Sequence, residues 1–264
     1  MFKLSEDCSY SMPAHFGGTE GVAGPWTYAE VTSILVSYET DRDQLSRYVP
    51  EGFEVTQPVL LVLYQMCRGV EWMAGGHYNL IAVNVPVAYV HGQERIEGQF
   101  ALVVWENKAC PILGGREQTG IPKIFANIED HRQFGDKRFT NASYEGLAFL
   151  GVDFEIKRTM SPGELKSMHT QVGKLNWFGW RYIPNIGRPG SALSHATLYP
   201  LENVLTAGWS GEGEVHWQAP TWQQHPAQAH IIRALSELPI KGYRDCAMTL
   251  GSQVLRTDGA RELH

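Results

Sequence analysis

Short runs of strand-forming residues recur along this chain, and they constrain its fold more than any other feature. The runs, rich in Val, Ile, Leu, Tyr and Thr, occupy residues 31–38, 53–66, 79–90, 99–106, 124–130, 147–156, 193–206, 214–218 and 246–255. The 264 residues include 27 Gly and 14 Pro, and only 19% are charged, which favours strands and turns over a helical bundle. We therefore predict a mainly β (α+β) fold with a closed or doubly layered antiparallel sheet.

Helix signals are few and short. The sequence predicts helices over residues 41–49, from the capping box at Ser161–Glu164 to about His169, and over residues 227–238. The glycine-rich residues 208–213 lack the Lys-Ser/Thr of a phosphate-binding loop, so they are predicted to form a turn. We expect residues 1–23 to form an irregular arm and residues 24–264 a single domain.

Charge and composition argue against several classes of protein. Lys and Arg number 22 against 28 Asp and Glu, a net charge of −6, and no basic run suits nucleic acid or an anionic membrane. The apolar stretch at residues 59–63 is too short to cross a bilayer, and the N-terminus lacks the apolar core of a signal peptide. The four cysteines are scattered, and the histidines lack metal-ligand spacing. We expect a cytoplasmic protein without a metal or cofactor, and without nucleic-acid or membrane partners.

One lysine stands in a segment suited to chemistry. Residues 114–125 read GGREQTGIPKIF, so Lys123 lies between a proline and two large apolar side chains after a glycine-bearing loop. With a free pKa near 10.4, roughly one lysine in 2,500 is the neutral, nucleophilic amine at pH 7. Desolvation raises that fraction. Local residues leave two interpretations open: a surface lysine at the start of a strand, or a Schiff-base nucleophile.

The same segment resembles the signature of the acetoacetate decarboxylase family, which is Gly-Arg-Glu, a short spacer and Pro-Lys. Residues 115–123 supply it as GREQTGIPK. Flanking pieces occur in the family's order: GPW at 24–26, YETD at 38–41, QP at 57–58, IPN at 183–185 and APT at 219–221. The resemblance covers roughly residues 24 to 255. The reactive lysine of acetoacetate decarboxylase is itself a known example of activation by desolvation or a neighbouring cation.

The resemblance implies a fold and an activity. The family has a closed, antiparallel, barrel-like sheet that encloses the reactive lysine, covered by a few helices, and it usually assembles into homo-oligomers. Its decarboxylases form an imine with a 3-keto acid and then release carbon dioxide. By resemblance, Lys123 is the imine-forming residue, and the substrate is a small molecule that contains a carbonyl group.

Several charged positions of the family pattern are apolar in this chain. The second lysine of the family is Ile124, the pocket arginine corresponds to Val31, and two pocket glutamates correspond to Leu63 and Leu80. Losing one buried charge leaves its partner unpaired, whereas losing the whole set avoids that cost. The pattern indicates a pocket rebuilt for other chemistry, with these aliphatic residues in contact with substrate.

Polar residues near the motif or at matching strand positions are candidates for the proton shuttle and for substrate binding. Gln118, Tyr78 and Glu117 are the candidate catalytic partners of Lys123. The candidate substrate-binding residues are Arg116, Tyr64 and Tyr243. Each also has a structural interpretation: a loop amide, a packed aromatic ring, or an ion pair that fixes the loop.

Three functions remain open at this point. The first is a Schiff-base lyase of aldolase, dehydratase or cyclase type, acting on a carbonyl or keto-acid substrate in a biosynthetic pathway. The second is a decarboxylase of a bulky 3-keto acid. The third is a non-imine isomerase or cyclase, or a barrel that binds a hydrophobic ligand without imine chemistry.

Overall fold

A computed structural model describes residues 3–21 and 24–264 of the chain. The strands are β1 (Cys8–Ser9), β2 (Thr19–Glu20), β3 (Trp26–Glu39), β4 (Phe53–Val55), β5 (Val59–Val70), β6 (Gly76–His91), β7 (Glu94–Glu106), β8 (Lys123–Phe125), β9 (Arg132–Phe134), β10 (Lys137–Tyr144), β11 (Leu147–Thr159), β12 (Lys174–Pro184), β13 (Ser191–Trp217), β14 (Gly242–Tyr243), β15 (Cys246–Leu255) and β16 (Arg261–Leu263). The helices are α1 (Arg42–Ser46), α2 (Ala109–Gly114), α3 (Pro162–Val172) and α4 (Ala229–Ser236). Single 3-10 turns occur at Ala14–Phe16, Glu71–Met73 and Thr257–Gly259, and a wide helical turn spans Gly115–Thr119.

Seven strands form a barrel-like ring in the order β12-β7-β6-β5-β3-β15-β13, and pairing of β12 with β13 closes it. The closure is uneven, because β12 meets β7 in parallel over only two residue pairs, at Gln99 and Phe100 of β7. Strand β8 pairs in parallel with β7 farther along, at Val104 to Glu106. A three-residue strand therefore completes the wall near the weakest junction of the ring. The predicted mainly β, barrel-like fold is confirmed.

A second layer covers one side of the barrel. The long strand β13 leaves the ring and pairs through its second half with β11, and the sheet continues to β10 and β9. The outward faces of the barrel strands pack there against β11 and α4 in an apolar core that includes Ile34, Tyr64, Trp105, Phe149 and Ile232. A separate cluster of buried residues lines the barrel interior. The barrel strands that lie under this layer thus bury both of their faces.

Local sequence accounts for the helix starts. Asp41 accepts hydrogen bonds from the backbone N–H groups of Asp43 and Gln44, which caps α1. At α3, Ser161 and Glu164 form the predicted capping box, with a proline at the first helical position. The helices predicted at 41–49, 161–169 and 227–238 are confirmed, although α1 and α4 are shorter than their predicted ranges. No helix in the described ranges is long and apolar enough to span a membrane.

The predicted turn at residues 208–213 is wrong. These residues lie inside β13, where Gly208 pairs with Thr249, and Gly211 pairs with both Cys246 and Ile156. A Cβ on Gly211 would lie 2.0 Å from the carbonyl oxygen of Glu155, so glycine permits close approach of two backbones there. The glycines mark the crowded stretch where β13 passes from the barrel to the outer layer.

The N-terminal arm contains a small element of regular structure. Strands β1 and β2 pair antiparallel, with Cys8 opposite Glu20 and Ser9 opposite Thr19. Residues 1, 2, 22 and 23 of the expected arm lie outside the described residues. Division of the chain into an arm and one domain at residues 23 and 24 stays a prediction.

Candidate active site

Strand register places Lys123 on the inner face of the barrel. Directly paired residues in neighbouring strands share a face of the sheet. One row runs from Leu35 through Leu63, Ala82 and Val104 to Lys123. Val104 and Ala82 belong to the buried interior cluster, and Leu63 packs against it. The lysine therefore belongs to the barrel interior rather than to the outer surface.

A second row of the same inner wall holds a carboxylate. It runs from Ser33 through Gln65 and Leu80 to Glu106 at the end of β7. Glu106 is fully buried, and its Oε1 lies 2.8 Å from Nζ of Lys123, whose side chain is 7% exposed. Within the described residues, neither carboxylate oxygen accepts a backbone or hydroxyl hydrogen bond, so the lysine is the group that compensates the buried charge.

Burial and charge act in opposite directions on this carboxyl group. Removal from water raises the pKa of Glu106, and the neighbouring Lys123 ammonium lowers it, with burial the larger effect. The net direction is upward from the ordinary value of 4.5. Glu106 therefore holds a proton more readily than a solvated glutamate does, which suits a group that exchanges protons with a nearby amine.

Neutral phenols and a thiol surround the pair. The hydroxyl groups of Tyr28 and Tyr78 lie 3.0 Å apart, and burial raises the pKa of both. Burial, together with the Glu106 carboxylate, raises the pKa of Cys67 to about 12. Burial likewise raises the pKa of Tyr199 well above its ordinary value, and the charge of Glu106 adds to that effect. These groups stay protonated at neutral pH and are hydrogen-bond donors.

The loop before β8 fixes the position of the lysine. Helix α2 runs into the wide turn at Gly115–Thr119, and the Lys123 carbonyl accepts a hydrogen bond from Nη1 of Arg116 at 3.1 Å. A Cβ on Gly115 would lie 2.2 Å from Cδ of Lys123, so the backbone itself lies against the lysine stem. Gly120 adopts a left-handed conformation (φ 70°) against the backbone of Arg181. Glycine is required at both positions, and the loop sequence follows from this packing.

A cavity of about 520 Å³ lies in the barrel interior next to these rows. Leu35, Leu63, Ser33 and Gln65 line it, so it includes the first members of both rows. Lys123 and Glu106, at the far ends of the rows, are not among the described residues that line it. The cavity and the Lys123–Glu106 pair thus belong to the same interior wall, with Ala82 and Val104 between them in one row and Leu80 in the other.

The structure brings some of the sequence-predicted residues together. Tyr78, Val31 and Leu80 are buried in the interior cluster, and Leu63 both packs on that cluster and lines the cavity. These four residues share the barrel interior with Lys123.

The loop residues proposed as catalytic or substrate-binding lie elsewhere. Arg116 is exposed and bonds to the Lys123 backbone rather than pointing its guanidinium at the amine. Glu117 is half-buried, and Gln118 is exposed, with its Nε2 at 3.5 Å from Oγ of Ser11. No hydrogen bond or ion pair joins either side chain to Lys123 within the described structure.

The two other tyrosines lie away from the barrel interior, and Tyr64 belongs to the apolar core between the barrel and its second layer. Tyr64 is fully buried there, and its hydroxyl accepts a hydrogen bond from the backbone of His131 at 3.0 Å. Tyr243 is 41% exposed, and its hydroxyl accepts a hydrogen bond from the backbone of Val215. The structure does not bring either residue to Lys123.

Comparison with known proteins defines the family. The family model for acetoacetate decarboxylase matches residues 11–255. An acetoacetate decarboxylase of Burkholderia cenocepacia is 35% identical over 228 residues, which cover 82% of this chain and 80% of that protein. The chain belongs to the acetoacetate decarboxylase family.

Solved structures share the fold. The acetoacetate decarboxylase of Legionella pneumophila superposes with a TM-score of 0.77 at 20% identity. The aligned region covers 92% of this chain and 88% of that chain. The enduracididine biosynthesis enzyme MppR, complexed with pyruvate, superposes with a TM-score of 0.72 at 15% identity and covers 98% and 99% of the two chains. By its family, the chain is an acetoacetate decarboxylase-like enzyme of lyase type, and enzymes of this family act on small-molecule carbonyl compounds.

The residue that sequence reasoning missed is Glu106. A signal for it is present, since an acidic residue directly follows the apolar run FALVVW of β7. Alternation along that strand puts residues 104 and 106 on one face. Placing Glu106 opposite Lys123 additionally requires the pairing of β7 with β8, which no local pattern gives.

Proposed function

We propose that this enzyme is a Schiff-base lyase in which Lys123 forms an imine with a carbonyl or keto-acid substrate. The reaction that follows is of aldolase, dehydratase or cyclase type. The observation that carries the proposal is the contact between the buried Lys123 amine and the buried Glu106 carboxylate, 2.8 Å apart inside the barrel. The pair unites a nucleophile with a group that takes and returns its proton.

Burial explains why the proton moves readily within the pair. Two opposite charges lose their hydration when they are buried, and proton transfer from the ammonium to the carboxylate converts them into two neutral groups. Burial raises the pKa of Glu106, which favours this transfer. The neutral amine is the form that attacks a carbonyl carbon.

The steps need no reagent other than the substrates and water. The amine adds to the carbonyl carbon to give a carbinolamine, and the Glu106 proton goes to its hydroxyl group, which leaves as water. The product is an iminium ion beside the Glu106 carboxylate. That carboxylate takes a proton from the adjacent carbon and an enamine forms. The enamine either attacks an aldehyde, whose oxygen takes the Glu106 proton, or expels a hydroxyl group, which takes that proton and leaves as water. Hydrolysis returns the Lys123 amine.

Tyr78 is a donor for oxygen atoms that gain negative charge in these steps. Burial raises its pKa, and the nearby Glu106 charge acts in the same direction, so the phenol is neutral. Its hydrogen bond with Tyr28 orients the hydroxyl group. A neutral, oriented donor in a site with little water stabilises developing charge effectively.

Comparison with another protein of this fold further supports imine chemistry. MppR has been captured with pyruvate, a 2-keto acid, in a structure that covers nearly the full length of both chains. The chain also carries the family's Pro-Lys element at Pro122 and Lys123. Function in a biosynthetic pathway and assembly into a homo-oligomer stay predictions.

Borohydride trapping tests the proposal. The protein is incubated with pyruvate, acetoacetate or a bulky aldehyde, reduced, and examined by intact-mass spectrometry and peptide mapping. We expect one adduct, on Lys123, that disappears in Lys123→Met. The control is Lys108→Met, because Lys108 is an exposed lysine of the same region. Absence of an adduct with every carbonyl, or full turnover by Lys123→Met, would instead favour a non-imine isomerase or a ligand-binding barrel.

A decarboxylase of a bulky 3-keto acid is the second candidate. The observation in its favour is 35% identity to an acetoacetate decarboxylase over 228 residues. Such an enzyme forms the same imine and then releases carbon dioxide, with the iminium as electron acceptor. Carbon dioxide release from a panel of 3-keto acids, measured beside the trapping experiment, separates this candidate from the first.

A further inference from the structure

The barrel cavity has features that define the substrate as well as the site. Its volume, about 520 Å³, is in the range of pockets that enclose whole small molecules, and it exceeds what pyruvate or acetoacetate would fill. Its apolar lining includes Leu61, Leu63, Leu201 and the ring of Trp177. Trp177, Leu63 and Leu201 also belong to, or pack against, the interior cluster that holds Tyr78. The cavity therefore shares the barrel interior with the proposed reaction centre, and Ala82 and Val104 lie between the two along the row from Leu63 to Lys123.

Charge is confined to the edge of this cavity. The charged residues that line it within the described chain are Arg158, Glu164 and Asp245, and all three are exposed. Arg158 makes two hydrogen bonds to Glu164, at 2.6 and 2.8 Å, so its cation is already paired. A carboxylate placed deep in the cavity would lose its hydration and meet no free cation there, which is strongly unfavourable.

The deep wall instead carries amides. Nε2 of Gln65 donates to Oγ of Ser33 at 3.0 Å, and Nε2 of Gln253 donates to Oδ1 of Asn203 at 2.8 Å. Each bond fixes the orientation of its glutamine and leaves the carbonyl oxygen as an acceptor. Both glutamines line the cavity and are less than 10% exposed, at 7% and 8%. They are oriented for a ligand that donates hydrogen bonds.

A third amide has the opposite orientation. Nε1 of Trp177 donates to Oδ1 of Asn84 at 3.0 Å, so the Asn84 oxygen is engaged and its NH₂ group is the donor left for a ligand. The indole of Trp177 gives a flat apolar surface beside it, suited to a planar ring. The wall thus combines acceptors, a donor and a ring surface, all without charge.

We infer that the substrate is an uncharged aldehyde or ketone with a bulky hydrogen-bonding group, such as an amide-bearing or hydroxylated ring, which occupies this cavity while the carbonyl group reacts at Lys123. The inference rests on the proposed function for the reacting end of the substrate. The part of the substrate farthest from the carbonyl group is specified by the cavity alone. The row from Leu63 through Ala82 and Val104 to Lys123 joins the two sites.

A pair of probes that lack an aldehyde or ketone group tests the cavity without imine chemistry. The neutral probe is N-[4-(hydroxymethyl)phenyl]acetamide, and the anionic probe is 4-(hydroxymethyl)benzoate. Calorimetric titration of wild type and Lys123→Met should give at least about tenfold tighter binding of the neutral probe in both proteins. Equal or tighter binding of the benzoate, or no binding of the neutral probe, would overturn the inference.

A matched pair of variants locates the binding. Gln65→Leu removes a deep-wall acceptor at nearly constant volume and should weaken binding of the neutral probe by about tenfold. Gln133→Leu changes an exposed glutamine on β9, outside the cavity, and should leave binding unchanged. Equal affinity of Gln65→Leu and wild type would also overturn the inference.

The aldehyde forms of the same probes connect the cavity to the proposed function. In borohydride trapping, 4-acetamidobenzaldehyde should label Lys123 at about tenfold lower concentration than 4-carboxybenzaldehyde. If the alcohols bind as expected and neither aldehyde labels Lys123, the cavity assignment stands and imine chemistry fails. If labelling occurs with the carboxylate preferred, imine chemistry stands and the neutral substrate class fails.

Discussion

Trp105 and Glu106 are neighbours in β7, both fully buried, and they belong to different environments. Trp105 faces outward into the apolar core, where its Nε1 donates to Oε1 of Gln228 at 2.7 Å. Glu106 faces inward, where it contacts Lys123. Alternate residues of the barrel strands therefore have different roles. Outward-facing residues stabilise the fold by apolar packing, and inward-facing positions include polar groups whose burial is unfavourable. Substitutions on the two faces should therefore have separable effects.

Glu106→Gln should have the largest effect on chemistry, and it should affect the fold only by leaving the buried Lys123 without its partner. Loss of a general base typically lowers a proton-transfer rate by about 10²–10⁴-fold. The readout is exchange of the methyl protons of a neutral methyl ketone, acetone, in D₂O, followed by NMR, which reports enamine formation. Unchanged exchange would exclude Glu106 as the base.

Trp105→Ala should show the reverse pattern. Truncation of a fully buried tryptophan removes apolar contacts and leaves a cavity, at a cost of about 3–5 kcal/mol in the free energy of unfolding. Denaturant unfolding measures that cost. At temperatures where the variant is still folded, Lys123 should be labelled as in wild type. Loss of labelling in a folded variant would show that the two faces are coupled.

Gly115→Ala tests how closely the loop backbone determines the position of the Lys123 side chain. A Cβ at this position would lie 2.2 Å from Cδ of Lys123, so the amine must shift. Misplacement by about 1 Å can cost about 100-fold in rate, and we expect a fall of that size in the labelling rate. Gly114→Ala is the control, because its Cβ would meet only a Trp26 ring carbon at 3.4 Å. Equal labelling by the two variants would contradict the proposed constraint.

The ion pair of Arg158 and Glu164 at the cavity edge should contribute least to stability, and its contribution should depend on pH. The pKa of Glu164 is about 2, lowered first by Arg158 and then by Ser161. A lowered carboxyl pKa adds stability that is present above the ordinary value of 4.5 and is lost as the pH falls toward 2. Wild type should therefore lose stability between pH 5 and pH 2 by slightly more than Glu164→Gln does. Parallel pH profiles from thermal unfolding would show that this exposed pair contributes nothing.

Sequence patterns predict the elements that have local causes. The strands alternate between two buried faces, and the capping box at Ser161 begins α3 where expected. The segment around Lys123 is recognisable because glycine at 115 and 120 is dictated by close packing. In these cases the residues within one element determine its structure.

Features that depend on distant pairing are not predictable in this way. Glu106 precedes Asn107 and Lys108, so it resembles the polar end of a strand at the surface, and β8 buries it. Helix α2 has Pro111 in its first turn, which is compatible with a helix but gives little signal for one. The strand β12, absent from the predicted set, pairs with β13 along its whole length. Long-range contacts decide each of these.

The uneven junction of the ring has a consequence for how such enzymes diversify. The proposed nucleophile is carried by β8, a three-residue strand at the end of a separate loop, whereas the carboxylate is carried by β7, a permanent member of the barrel. The two halves of the reaction centre are thus encoded on independent structural units. Exchange of the loop would change or remove the amine while the acid and the amide-lined cavity stay in place. The barrel is the constant part of such an enzyme, and the loop at the uneven junction is the part that can be replaced.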